Sequence, residues 1–96
     1  MALLWPPKDP NEIDDYDLIW TLRLNGDTIL TSTWSLPSGV AISIVSSSFI
    51  STPTSSITKV ILSGGIRGQT YRFKNTITTA SGNTLDESVD LPIKYK

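Results

Sequence analysis

The sequence predicts an all-β fold, an antiparallel sandwich of about six to seven short strands. Along most of the 96 residues, apolar and polar side chains alternate with a period of two, as they do in half-buried strands. Turn-forming Gly, Asn, Pro and Ser residues recur between these alternating segments. No long segment combines helical periodicity with capping residues. A chain of this length fits one domain.

The first predicted strand covers residues 16–24. Its apolar face would be formed by Tyr16, Leu18, Trp20, Leu22 and Leu24, with Ile19 as the exception to the alternation. A hairpin turn is predicted at Asn25-Gly26-Asp27, because Asn and Gly tolerate positive φ. The second strand covers residues 28–36, with Leu30, Trp34 and Leu36 in phase. It is expected to end at Pro37-Ser38-Gly39.

The middle of the chain predicts one interrupted strand and one central strand. Val40, Ile42 and Ile44 begin a strand whose pattern weakens at residues 46–48 and resumes at Phe49 and Ile50. The polar segment 51–56 is interpreted as a crossing loop. Residues 57–62 are apolar on both faces apart from Lys59, which is typical of a well-covered strand.

The last two predicted strands have the most regular alternation. A glycine-rich connection over residues 63–69 precedes a strand that contains Tyr71, Phe73 and Ile77, and the turn at residues 81–83 leads to a strand over residues 85–95. Across this last hairpin, Arg72 or Lys74 of one strand would face Asp86 or Asp90 of the other. The predicted structural core is Trp20, Trp34, Tyr71, Phe73 and Ile77.

Residues 1–15 are predicted to be an extended N-terminal arm in front of a sandwich domain over residues 16–96. Pro6 and Pro7 disfavour a helix. The apolar residues before them have no predicted strand to join, so the arm either folds back on its own sandwich or inserts into another subunit. Aromatic residues make good interface anchors. The candidate partner-binding residues are Leu3, Leu4, Trp5, Pro6, Pro7, Lys8 and Asp9.

Composition argues against an enzyme. Cysteine and histidine are both absent, which removes disulfides, thiolate chemistry and the usual general base. The acidic residues between Asp9 and Asp17 have no EF-hand spacing, so they are interpreted as a solvated or partner-facing anionic patch. The net charge of −1 disfavours nucleic acid, and no apolar run is long enough to span a bilayer. No cofactor or metal is predicted.

One resemblance concerns the fold. The residues 62–65, 68–71 and 81–83 resemble the corner of immunoglobulin-like and fibronectin-like domains. In these domains a glycine-bearing turn leads to a tyrosine that opens a strand, and its hydroxyl ties the corner down. The resemblance implies that Tyr71 is this tyrosine and that the domain is a cysteine-free variant.

A second resemblance covers most of the chain. It rests on the run Met1-Ala2-Leu3-Leu4-Trp5-Pro6-Pro7-Lys8-Asp9-Pro10, on Asp15-Tyr16 and Ile19-Trp20, and on Gly26-Asp27-Thr28-Ile29, Ser32-Thr33-Trp34 and Leu62-Ser63-Gly64-Gly65. These motifs look like those of small tailed-bacteriophage and prophage virion proteins of the fiber-tail adaptor type.

The phage resemblance implies a structural virion component that joins tail fibres to the tail and has no catalytic residue. Its partners would be other virion proteins of the tail, nozzle or fibre, in multiple copies within a symmetric assembly. The protein would be made in the bacterial host cytoplasm and reside in the virion. The alternatives are a capsid or tail decoration protein, or a module that binds host-surface glycans through residues 46–56.

Overall fold

The computed structural model describes residues 3–36 and 40–95, and these residues form strands with one short helical turn. In chain order the elements are β1 (Leu3–Leu4), β2 (Ile13–Ile19), α1 (Thr21–Leu24), β3 (Ile29–Ser35), β4 (Ile42–Thr52), β5 (Ser55–Gly64), β6 (Thr70–Thr79) and β7 (Thr84–Pro92). The predicted turn at Pro37-Ser38-Gly39 lies outside the described residues.

The strands form two sheets, with the orders β1-β7-β6-β3 and β2-β5-β4. Among the named strands of the described residues, the pairings are antiparallel except that of β1 with β7. After β1, the strands follow the immunoglobulin arrangement, in which the second, fifth and fourth strands share one sheet and the third, sixth and seventh the other. The short first strand joins the second of these sheets, beside the last strand. The predicted all-β, immunoglobulin-like sandwich is therefore confirmed.

The core lies between the two sheets and is formed by the inward positions of β2, β3, β5, β6 and β7. Apolar side chains fill these positions because alternation along each strand places every second residue inward. Trp20, Phe73 and Ile77 are almost wholly buried, and Trp34 and Tyr71 retain 9% and 7% exposure. β5 lies in the middle of its sheet, as its apolar sequence predicts, and Val60 and Leu62 are fully buried.

A buried polar network links the two sheets through Trp20. The indole Nε1 donates to Thr58 Oγ1 at 3.0 Å and to Asn75 Oδ1 at 3.1 Å. The Thr58 hydroxyl donates to the same Asn75 oxygen at 2.7 Å, and Asn75 Nδ2 donates to Ser32 Oγ and Thr33 O. Thr58 and Asn75 occupy inward strand positions, so these bonds compensate the cost of removing their polar atoms from water.

At the corner before β6, the Tyr71 hydroxyl bonds to the backbone, as the resemblance to immunoglobulin-like domains implies. The Ile66 backbone N–H donates to the Tyr71 hydroxyl at 3.1 Å. The chain crosses here from β5 in one sheet to β6 in the other. Gly64, Gly65 and Gly68 all have positive φ in this connection, a conformation that glycine adopts without steric cost.

The prediction of one strand over residues 16–24 followed by a hairpin turn is wrong beyond Ile19. Thr21–Leu24 form a helical turn, and Leu22 is 94% exposed. The Ser56 N–H donates to the Thr21 side chain, where a continued ladder would offer a backbone carbonyl. Asn25 then adopts the left-handed conformation and ends the turn. Because β2 and β3 belong to different sheets, residues 25–27 lie in a crossing between sheets.

Two further predictions need correction in the following strands. A bulge at Leu30 shifts the register of β3, so Ile29 points inward and Leu30 is 60% exposed. The segment 51–56 is a hairpin between β4 and β5, because Thr52 Oγ1 accepts the Ser55 N–H and closes a tight turn.

The predicted facing charges are present in the last hairpin. Arg72 lies opposite Asp90 in the register of β6 and β7. Its guanidinium donates to both carboxylate oxygens, with Nε–Oδ1 at 2.8 Å and Nη2–Oδ2 at 3.2 Å. This hydrogen bonding lowers the pKa of the Asp90 carboxyl below its ordinary value.

Candidate protein interface

The N-terminal segment packs onto the sandwich. Leu3 and Leu4 pair in parallel with Val89 and Asp90 of β7. The segment then continues along β7 through backbone bonds from Trp5 N to Asp90 O at 2.9 Å and from Lys8 N to Pro92 O at 3.0 Å. These bonds make residues 3–8 an edge of the four-stranded sheet.

Trp5 belongs to the core. Its side chain is only 7% exposed, and its ring stacks on Tyr16 with the centroids 4.9 Å apart. It also makes tilted contacts with the rings of Trp34 and Phe73 at 5.7 and 5.8 Å. The indole N–H donates to Asp17 O of β2 at 3.0 Å. Trp5 therefore connects the edge of one sheet to the edge of the other.

Lys8 is also enclosed, although its side chain is charged. Its residue is fully buried, and Nζ donates to Gly64 O at 2.8 Å and to Asp9 O at 2.9 Å. Its backbone carbonyl accepts the Lys94 N–H. Burying an ammonium group requires such compensating partners. Lys8 thus connects the N-terminal segment to the end of β5 and to the chain beyond β7.

Of the two alternatives for the predicted arm, these contacts correspond to folding back on its own sandwich. Trp5 and Lys8 are interior residues, because the indole and the lysine stem fill space between the sheets and their polar atoms find backbone acceptors. Of the other candidate residues, Leu3 and Leu4 are 50% and 72% exposed and Pro6 is exposed. Pro7 and Asp9 are half-buried.

A pocket of about 290 Å³ lies beside this segment. It is lined by Trp5, Pro6, Pro7, Asp14, Asp15, Tyr16 and Asp17. The Tyr16 hydroxyl is buried and, among the residues that the structure describes, it has no hydrogen-bond partner. Burial, together with the nearby carboxylates of Asp14, Glu12 and Asp15, raises the pKa of Tyr16 to about 12. The pocket therefore favours the neutral phenol.

The outer face of the three-stranded sheet carries an exposed apolar row, formed by Ile19, Ile57 and Ile50. These residues are direct neighbours across β2, β5 and β4. Ile19 is 74% exposed and Ile50 71% exposed. Beside the row, a shallow pocket of about 150 Å³ is lined by Asp17, Ser48, Phe49, Ile50, Ile57 and Lys59. Contiguous exposed apolar groups of this kind are typical of contact surfaces.

The same surface continues onto the edge strand β4. Residues 45–50 are exposed on both faces of the sheet, and they include Val45 at 55% and Phe49 at 39% exposure. The sequence from Thr28 to Thr58 contains no charged residue. Native edge strands commonly carry charges that prevent pairing with another chain. An uncharged and uncovered edge is therefore suited to a protein contact.

Sequence reasoning placed its candidate partner-binding residues in the N-terminal segment and did not identify this exposed surface. The segment 46–56, interpreted as a glycan-contacting loop, forms most of β4 and its hairpin with β5. The available signal was the charge-free stretch from Thr28 to Thr58 around an alternating strand. The exposure of Ile19 and Ile50 could not be foreseen, because it depends on which strands become neighbours.

Within residues 3–36 and 40–95, no group of three or more His, Cys, Asp or Glu side chains is arranged to hold a metal ion. No helix in this part of the chain has the length and apolarity needed to cross a bilayer.

The fold and the exposed surface define a small immunoglobulin-like sandwich whose prominent outward features are apolar groups and an uncharged edge. The chain belongs to the family of the podophage GP4 fiber-tail adaptor protein gp77, whose model matches residues 8–92. The resemblance to phage fiber-tail adaptor proteins is thereby confirmed.

Comparison with curated proteins gave no match. Among solved structures, the chain is similar to the solution structure of the PKD domain from KIAA 1837 protein. The identity is 19%, the match covers 99% of this chain and 79% of that chain, and the TM-score is 0.49.

Proposed function

We propose that this protein is a structural adaptor of a phage virion that joins a tail fibre to the tail through protein–protein contacts. The observation that supports this most directly is the family match over residues 8–92. In the virion the chain would contact a tail or nozzle protein on one side and a fibre protein on the other. Several copies would act within a symmetric assembly.

The apolar row of Ile19, Ile57 and Ile50 is the surface that we assign to one of these contacts. Burying an exposed isoleucine at an interface removes apolar area from water, which is worth about 25 cal/mol per Å² before the costs of association. The two ends of the row are largely exposed, so a partner can cover them without rearranging the sandwich. Lys59 and Asp17, which lie directly beside the row, would form its polar rim.

The exposed leucines of β1 supply a second candidate contact. Leu3 and Leu4 lie in β1, the edge strand of the four-stranded sheet. A two-sided adaptor needs two separate surfaces, and this edge belongs to the other sheet. Here the earlier expectation of partner binding through the N-terminal segment is retained for Leu3 and Leu4 alone.

The test is a bridging assay with the full chain and the purified tail and fibre proteins of the same phage. Immobilised tail protein should retain the fibre protein only when the adaptor is added. Ile19→Lys should weaken one of the two binary contacts at least tenfold, because it places a charge in the apolar row. Ile66→Lys is the matched control, since Ile66 is 54% exposed in the connection between β5 and β6.

Retention of fibre by tail protein without the adaptor would contradict the adaptor role. So would an adaptor that binds neither protein. Equal binding by Ile19→Lys and wild type would remove the apolar row from the proposal, and Leu4→Lys then tests the β1 edge in the same assay.

A further inference from the structure

The edge of β2 lacks a neighbour that the immunoglobulin arrangement normally provides. In constant-type domains the first strand lies beside the second, in the sheet that also holds the fifth and fourth strands. Here β1 pairs with β7 in the other sheet. Within the described residues, β2 is therefore an outer strand that pairs with β5 alone. An outer strand leaves a row of backbone N–H and C=O groups open to another strand.

The register of β2 and β5 shows which backbone groups face the open edge. The Trp20 N–H donates to Ser56 O at 2.8 Å, one step beyond the paired residues Ile19 and Ile57. Hydrogen-bonded positions alternate along an antiparallel pair. The even-numbered residues of β2 therefore bond to β5, and the backbone groups that point to the open edge are those of Ile13, Asp15, Asp17 and Ile19.

Side chains already bond two of these outward groups. The Trp5 indole donates to Asp17 O at 3.0 Å, and the Asp15 N–H donates to the Asp14 carboxylate at 3.0 Å. Both bonds agree with the register, because they reach backbone groups that point away from β5. The bond at Asp15 is local and exposed, so the carbonyl of an added strand can replace it. Trp5 marks the point where the open ladder ends.

Space for an added strand lies along the same edge. The pocket of about 290 Å³ is lined by four consecutive residues of β2, 14–17, and by Trp5, Pro6 and Pro7. Tyr16 is only 8% exposed, and its hydroxyl has no hydrogen-bond partner in the part of the chain that the structure describes. An unpaired buried hydroxyl is costly. A polar side chain inserted from an added strand would provide the missing partner.

The charges along this edge identify the kind of partner. Glu12, Asp14, Asp15 and Asp17 place four carboxylates within six residues. The negative charge stays in excess although Lys59 reaches the Asp15 carboxylate at 3.6 Å. Like charges destabilise a strand pair, so these acids disfavour a second copy of β2 and favour a strand with lysine or arginine. We propose that the β2 edge binds a basic, extended segment of a partner protein by strand addition.

The added strand would extend the sheet to four strands and restore the position beside β2. Its outward side chains would lie beside Asp15 and Asp17, which are exposed, and its inward side chains would lie beside Tyr16. Backbone bonds supply the affinity in this mode of recognition, and the side chains supply the specificity. The open ladder is short, so we expect a dissociation constant on the order of 10–100 μM or weaker.

A titration of the full chain with synthetic peptides tests the proposal. The probe is a labelled peptide Thr-Lys-Val-Arg-Val-Lys-Thr, and fluorescence anisotropy measures its binding. Replacing its basic residues by glutamate should abolish binding. Methylating the backbone nitrogens of its three central residues should weaken binding at least about tenfold, because the charge is kept while the donors of the ladder are lost. This second peptide separates strand pairing from charge attraction.

Variants of the edge test the role of the carboxylates. Replacing both exposed acids, by Asp15→Asn and Asp17→Asn together, should weaken the basic peptide by about fivefold, the effect of two rim ion pairs. Asp86→Asn is the matched control, because Asp86 is an exposed acid on β7. It should bind like the wild type. Equal weakening by the control would show that net charge, and not the β2 edge, attracts the peptide.

Amide hydrogen exchange locates the contact. Saturating peptide should protect the N–H groups of Ile13 and Asp15, which point to the open edge, and leave those of β4 unchanged. Protection of β4 alone would overturn the proposal. So would a wild type that does not bind the basic peptide, or a methylated peptide that binds as tightly as the unmethylated one.

This site goes beyond the adaptor role and can fail separately from it, because the peptide assay contains neither tail nor fibre protein. Ile50→Lys changes the apolar row on β4, at the opposite edge of the sheet. It should leave peptide binding unchanged. Failure of the bridging assay with peptide binding intact would count against the adaptor role alone.

Discussion

Trp5 shows how a residue that resembles an interface anchor can instead complete the core. Its indole contacts Tyr16, Trp34 and Phe73 and donates to the backbone of β2. We predict that Trp5→Ala lowers the free energy of unfolding by about 3–5 kcal/mol, the range for removing a buried aromatic side chain. Urea unfolding followed by tryptophan fluorescence and circular dichroism measures this loss.

Leu4→Ala is the matched control, because Leu4 precedes Trp5 and is 72% exposed. It should change the free energy of unfolding by less than about 0.5 kcal/mol. Similar small losses in both variants would mean that Trp5 is not held in the core in solution. A large loss in both would point to the β1 pairing as the main stabilising element.

Tyr16 makes the stability of the sandwich sensitive to alkaline pH. Burial, together with the neighbouring carboxylates, raises its pKa from 10.0 to about 12 in the folded protein. Between these values the unfolded chain releases the phenolic proton and the folded chain retains it. Its contribution is therefore fully present below pH 10 and is lost as pH rises through about 12. Tyr16→Phe should remove this part of the alkaline loss of stability.

Urea unfolding at several values of pH between 9 and 12 measures the effect. At pH 7 the Tyr16→Phe variant should be at least as stable as the wild type, because the hydroxyl that it removes is buried and, within the described chain, unpaired. Tyr95→Phe, at a position 60% exposed, should follow the wild-type curve. An unchanged alkaline slope in Tyr16→Phe would show that the phenol ionises equally in both states.

The sequence predicted the burial of some residues and not of others. The burial of Phe73 and Ile77 follows from clean alternation within one long strand. Trp5 was left undecided, because the prolines that follow it interrupt any period. The enclosure of Lys8 had no sequence signal, since lysine is rarely fully buried and its acceptor Gly64 lies 56 residues away.

Among the elements, the connection between β5 and β6 depends most on glycine. Gly64 has φ of 80°, and a Cβ there would lie 2.9 Å from the backbone oxygen of Ala41. Gly68 in the same connection has φ of 86° but open space around it. We predict that Gly68→Ala costs about 1 kcal/mol of stability from backbone strain alone, and that Gly64→Ala costs about 1–3 kcal/mol more.

Thermal and urea unfolding of the two variants compare these costs. The difference between them isolates the close approach of Ala41, because both sites need positive φ. Equal losses would mean that the backbone at Ala41, just before β4, moves aside without cost. A smaller loss in Gly64→Ala than in Gly68→Ala would contradict the packing of this connection.

The elements were predictable where one local rule decided them. The strands β6 and β7 follow from period-two alternation, and β5 follows from a run that is apolar on both faces. Tyr71 marks the corner that precedes β6. The helical turn Thr21–Leu24 was missed, because Leu22 and Leu24 continue the apparent alternation of β2. Bulges at Leu30 and Val45 were missed because they arise from pairing between strands that are distant in sequence.

At the scale of the whole molecule, the sequence predicted the class of fold but not how the sandwich is closed. Alternation and turn spacing predict two packed sheets, whereas strand order depends on contacts between distant segments. The candidate interface was unpredictable for the same reason. The apolar row exists only because β2, β5 and β4 become neighbours in that order.

The N-terminal segment closes one side of the whole sandwich. It extends the sheet beyond β7, fills the core with Trp5 and reaches the end of β5 through Lys8. Removing residues 1–9 would expose the β7 edge and leave a cavity beside Tyr16 and Phe73. We predict that this truncation abolishes cooperative unfolding or lowers the midpoint strongly, because a small domain has only about 5–15 kcal/mol of stability.

Circular dichroism and a urea titration of the truncated chain measure the outcome, and a peptide of residues 1–9 provides the control. Because the segment binds through strand pairing and one buried side chain, an excess of peptide added in trans should restore the unfolding midpoint. A peptide with Trp5→Ala should restore less. A truncated chain that unfolds with the wild-type midpoint would instead make the segment an accessory arm, available to a partner without cost to the sandwich.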